Sequence, residues 1–181
     1  MKIGYNSPVV LTYALIAGAI VLIGDLSNSA IISKYFVSPT KSLSDPVSFL
    51  KLFTYCLGHY GWGHLMEILT LMLLTGPLIE EKYGSFKTFE MFAVTAFIIG
   101  IINYFIFSSV IAGGSGIVFM LILLSSFANF RSGKIPLTAV LVAVFFLGDE
   151  ILGLLKTNNV SYFSHIAGGF VGAVYGFLRT R

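Results

Sequence analysis

The chain has 181 residues, 56% of them apolar and only 10% charged, with a formal net charge of +3 and a mean hydropathy of +0.91. A water-soluble domain carries roughly a quarter charged residues, so this composition excludes an ordinary soluble globule, a disordered chain and a secreted disulfide scaffold. A single cysteine, Cys56, excludes an internal disulfide, and the cations form no basic cluster of the kind that binds nucleic acid. The expectation is an all-α, multi-pass integral membrane protein forming a single domain over residues 1–181.

A helix crosses the hydrocarbon core with about 20 mostly apolar residues. Six runs qualify: 8–26, 64–79, 86–107, 115–130, 136–155 and 161–180. The first could pass alone for a signal peptide; five further runs make it a retained anchor. After it comes the longest connection, from about Ser27 to Gly63, and loops of that length usually carry a function or structure of their own. Inside it, Asp45-Pro46 predicts a helix start, with Asp45 as N-cap and Pro46 at the first helical position. Val47, Leu50, Phe53 and Leu57 then form an apolar stripe at helical spacing. Too short to span, this helix is expected to lie partly in the outer interface. The second and fourth runs are short, which predicts burial within the bundle. Glu80-Glu81-Lys82-Tyr83-Gly84-Ser85 breaks the second run from the third, and Ser108 to Gly114 is a small Gly-rich turn before the fourth. Arg131-Ser132-Gly133-Lys134 and Thr157-Asn158-Asn159 separate the remaining runs. With the N-terminus in the cytoplasm, Lys2, Lys82, Lys87, Arg131, Lys134, Arg179 and Arg181 lie inside, and only Lys34, Lys41, Lys51 and Lys156 lie outside. That bias puts both termini in the cytoplasm.

Polar groups inside a membrane are costly and mark functional sites by default. His59, His64, His165 and Ser115 are the informative ones. Runs two, four and six all travel from outside to inside, so their first residues share a depth. Those beginnings carry His64, Ser115 in Gly113-Gly114-Ser115-Gly116, and, a turn into the last run, His165. A serine in this place fits a plain helix N-cap. It also fits a nucleophile, because the first N–H groups of a helix lack intrahelical partners and would face an oxyanion formed beside it. A serine nucleophile needs a base, for which His165 is the candidate; taken alone, His165 fits an interhelical hydrogen-bonding residue as well. Gly168, Gly172 and Gly176 recur every four residues, a small-residue face that lets two backbones approach closely. If its partner is the fourth run, His165 is set against Ser115. Asp149 and Glu150 lie near the outer end of the fifth run, where an interface position is expected. Three histidines on a loop and two spans give no zinc motif, and no phosphate loop or dinucleotide fingerprint occurs, so no metal or cofactor is expected.

These residues resemble the rhomboid family of intramembrane serine proteases, with its bacterial-type core of six transmembrane helices and a long, partly helical outer loop between helices 1 and 2. The resemblance is carried by Gly113-Gly114-Ser115-Gly116, by His165 with Gly168 and Gly172, by His59, Trp62 and His64, and by the segment Gly76 to Gly84. It implies a Ser115–His165 dyad with no third acidic member, acting on transmembrane protein substrates in the cell membrane. It further implies His64 as an oxyanion donor, Phe119 packed against the dyad histidine, Gly114 in support, and Glu80 bracing helix ends. The chain departs from the family at Ile68, which stands where rhomboids commonly have an oxyanion-donating Asn. Losing one such donor typically costs about 10²- to 10³-fold in rate. The neighbouring Glu67 fits an interfacial residue, a partner of His64, or a protonated substitute donor. Ile68 also motivates a second reading, a rhomboid-like pseudoprotease that binds membrane proteins without cutting them. A small transporter finds little support, since there is no internal repeat.

Overall fold

A computed structural model describes residues 4–40, 43–127, 137–157 and 159–178. Among the described residues the chain is all-helical, with no strand. The first helix, α1 (Pro8–Leu26), begins at Pro8 and has no side-chain cap of its own. Its first amides are instead held from a distance. Glu80 accepts from the Val9 N–H at 2.9 Å and the Val10 N–H at 3.1 Å, a carboxylate at the positive end of a helix. Two short helices occupy the long connection: α2 (Ala30–Tyr35), and α3 (Pro46–Thr54) extended by a 3₁₀ turn to Leu57. Asp45 caps α3 by accepting from the Ser48 N–H at 2.9 Å. The α2 turn carries no apolar run long enough to have announced it. On α3 the inward residue is Leu52, fully buried, while Val47, Phe49 and Leu50 face outward. Of the expected apolar stripe, Val47 and Leu50 are exposed, whereas Phe53 stacks on Phe97 and Leu57 packs against the core.

The next helix, α4 (Trp62–Tyr83), has 22 residues and corrects the expected short second run. It continues through Pro77 and the charged Glu80-Glu81-Lys82 segment, because Glu80 turns inward to α1 rather than breaking the helix. Only Gly84, at φ +81°, divides it from α5 (Ser85–Ile102), which ends in a π turn, Asn103–Phe107. The Gly-rich turn leads into α6, described over Ser115–Phe127; residues 128–130 and the Arg131–Lys134 break lie outside the described residues. A bent helix follows as α7 (Leu137–Val142), a π turn (Ala143–Leu147) and α8 (Gly148–Thr157). The last is α9 (Val160–Leu178).

The core is apolar, but much of the surface is apolar too. Leu26, Leu74, Phe86, Phe105, Phe145, Leu155 and Phe170 are strongly exposed, while Ser7, Ser38, His59, Glu80, Thr88, Thr95, Asn103 and Ser164 are buried. Three of the buried hydroxyls are satisfied locally: Thr88, Thr95 and Ser164 each donate to the carbonyl four residues back. Four described helices are long and apolar enough to cross a membrane: Pro8–Leu26, Trp62–Tyr83, Ser85–Phe107 and Leu137–Lys156. The pattern is that of an integral membrane protein.

Candidate active site

The turn before α6 is gripped from three sides. The Gly113 N–H donates to the Tyr55 carbonyl at 3.0 Å, and the Gly114 N–H donates to His59 Nε2 at 3.3 Å. Ser38 closes the turn's outer half: its N–H donates to the Ile111 carbonyl, and its hydroxyl accepts from the Ile111 N–H and donates to the Ser109 carbonyl. Tyr13 reaches up from α1 to donate to the Cys56 carbonyl. Glycine is required here. Gly113 has φ +119°, and a Cβ on it would lie 2.9 Å from His64 Cε1; a Cβ on Gly114 would collide with the Tyr13 hydroxyl.

Those contacts put the His64 ring directly beside the residue two before Ser115. His59 lies next to it, its ring edge-on to His64 at 5.1 Å between centroids. The tautomer of His59 follows from its partners. The Leu57 carbonyl, 3.1 Å from Nδ1, accepts only, so Nδ1 carries the proton and Nε2 is left to accept from Gly114. The residue is fully buried, and burial pushes its pKa down to about 4 despite the Leu57 bond, with His64 lowering it further. Neutral His59 thus holds the turn. The nearby Cys56 is likewise buried, and burial pushes its thiol up to about 12, so it is not a reactive thiol.

On the other flank, α9 lies hard against α6. A Cβ on Gly168 would collide with the Gly116 carbonyl, one on Gly172 with the Met120 carbonyl, and one on Gly116 would come within 3.1 Å of the Ser164 carbonyl. The glycine face therefore packs on α6 backbone to backbone, along the segment that carries Ser115. Phe119, one turn after Ser115, stacks flat on the His165 ring, with centroids 4.3 Å apart and planes 4° apart. The Ser115 hydroxyl makes no hydrogen bond to His165 in this structure. A small cavity of about 30 Å³, lined in part by Ser115, Gly116, Ser161 and Ser164, opens beside the serine with room for a water or two.

Of the other residues singled out from sequence, Ile68 is buried in the apolar core one turn below His64. Glu67 is exposed and forms no ion pair or hydrogen bond with His64, which speaks against the paired and buried-donor readings. Sequence reasoning missed Glu150. Its side chain is 15% exposed, turned inward so that Oε2 lies 2.9 Å from His165 Nδ1. Asp149's side chain lies outside the described residues. Among the described residues no cluster of three or more potential metal ligands occurs.

Residues 46–181 match the family model for the Rhomboid domain. No curated protein matches the chain.

Proposed function

The chain belongs to the rhomboid family, and from that premise we propose that it is an active intramembrane serine endopeptidase working through Ser115 and His165. The family is one of intramembrane proteases acting on membrane-protein substrates. The observation that carries the proposal is the backbone-close seam between α6 and α9, with Phe119 stacked on His165 one turn below Ser115. In the topology proposed here, α1, α4, α5, α6, the α7–α8 helix and α9 are six crossings with both termini in the cytoplasm. His64, Ser115 and His165 then sit near the outer leaflet.

In the reaction, Ser115 Oγ attacks a substrate carbonyl while His165 takes its proton. The resulting oxyanion is met by the Ser115 N–H and by His64, which the Gly113 turn holds close. The Gly114 N–H donates to His59 and supports the turn instead. His165 then protonates the leaving amine, and water, admitted beside the serine, releases the acyl group. The substrate helix must unwind locally, since a regular helix hides its carbonyls. Ile68 favours the second reading, a pseudoprotease that binds without cutting, because it is buried apolar where the family commonly supplies a donor.

Cleavage of a transmembrane model substrate in proteoliposomes separates the two. Wild type is expected to cut it, slowly, while Ser115→Ala and His165→Ala abolish cutting. Cutting that persists in Ser115→Ala would defeat the protease reading, and a wild type that binds the substrate but leaves it whole would favour the pseudoprotease.

A further inference from the structure

We propose that Glu150 is a positioning residue for His165, so that the site works as a serine–histidine–glutamate line rather than a dyad; the proposal rests on the protease reading above. Three observations carry it. First, Glu150 Oε2 and His165 Nδ1 are 2.9 Å apart, an ion-pair contact whose angle is not that of a hydrogen bond; both atoms are buried, and neither has a hydrogen-bond partner among the described residues. A carboxylate in an apolar helix is costly unless it meets a cation or a donor, and the imidazole is the group it meets. Second, the contact is on the ring nitrogen that a base of this kind does not use. With Nδ1 facing Glu150, Nε2 remains to receive the serine proton, and a carboxylate at Nδ1 selects the tautomer that leaves Nε2 unprotonated. It also stabilises the imidazolium formed once the proton has moved. Third, the packing is built for the approach. One turn along both helices, a Cβ on Gly153 would come within 2.5 Å of the Tyr162 ring, and one turn the other way a Cβ on Gly169 would meet Leu147. Helices α8 and α9 therefore run antiparallel in close contact, with Glu150 and His165 facing each other midway. Phe119 fixes the plane of the same ring from α6. The imidazole is thus held by a stacked face and a charged edge, each from a different helix.

A purely structural ion pair would stabilise the bundle without setting the proton's place on the ring. Histidine 15N NMR of the full-length protein in micelles at mildly alkaline pH reads that place directly, with His165 assigned by its loss in His165→Ala. The wild type is expected to show the Nδ1–H tautomer, and Glu150→Leu, which keeps bulk and removes the acceptor, to lose it. On the model substrate, Glu150→Leu is expected to lower kcat by about 10²- to 10⁴-fold with KM unchanged, and Glu150→Gln, which retains an acceptor oxygen without charge, to fall between. A wild type in the Nε2–H tautomer overturns the proposal without any variant, and so does a Glu150→Leu protein with wild-type kcat. If Glu150→Leu does not fold, the wild-type tautomer and Glu150→Gln still decide. A wild type that cuts nothing overturns the protease reading instead, and the 15N signal then decides the pairing on its own.

Discussion

His59 shows how one buried side chain can hold the backbone next to the proposed nucleophile. Its two ring nitrogens are both committed, one to the Leu57 carbonyl and one to the Gly114 N–H. Protonation would put a hydrogen where Nε2 now accepts, and charge into a site with no exposure. The folded state therefore resists protonation down to about pH 4, whereas the unfolded chain takes a proton near the ordinary value of 6.5. The sign follows: this part of the stability is whole above about pH 6.5 and is lost as pH falls toward 4, by ~3 kcal/mol at the limit. Thermal melts in micelles at pH 7.5 and pH 4.5 should show a marked fall for wild type and a smaller one for His59→Phe. Equal falls would remove His59 from the account. At this scale the sequence was partly legible. Histidines and a serine in an apolar chain stand out, but a partnership such as His59 with Gly114, across 55 residues, has no sequence signature.

Among elements, the decisive contact is the α6–α9 seam. The four-residue glycine spacing announced a packing face; that α6 is the partner needed coordinates. Gly168→Ala would drive a methyl into the Gly116 carbonyl. Overpacking of this kind costs about 1–3 kcal/mol, and a shift of about 1 Å between reacting groups costs about 10²-fold in rate. Gly18 in α1 is the control, since a Cβ there meets nothing within 4 Å; Gly18→Ala should leave melting and cleavage unchanged or slightly improved. Similar losses in both proteins would mean that the seam is not special. Two other elements escaped the sequence for definable reasons. Charged residues near 80 looked like a break, because nothing local shows that Glu80 turns inward to cap α1. The pairing of Glu150 with His165 was hidden because the π turn at Ala143–Leu147 adds a residue to its turn and rotates every later face of the helix.

Across the described residues, large apolar side chains crowd the surface as well as the core, which fits lipid as the solvent and agrees with the composition. In the proposed orientation, taken from the Lys and Arg bias, parity brings the starts of α4, α6 and α9 to a common depth. The proposed orientation has a direct consequence. Cys56 is buried with a high thiol pKa, so wild-type protein in intact cells should not react with a membrane-impermeant maleimide. Lys51→Cys, in the outer connection, should label, and Lys87→Cys should not until the membrane is opened. The reverse pattern would invert the topology and move the site to the inner leaflet.

The central claim is that Ser115 is activated by His165. The most direct measurement is mass-spectrometric mapping of a fluorophosphonate adduct on the membrane-embedded protein. The account predicts an adduct on Ser115 in wild type that disappears in His165→Ala. An adduct on another residue, or one on Ser115 that forms as fast without His165, would contradict it.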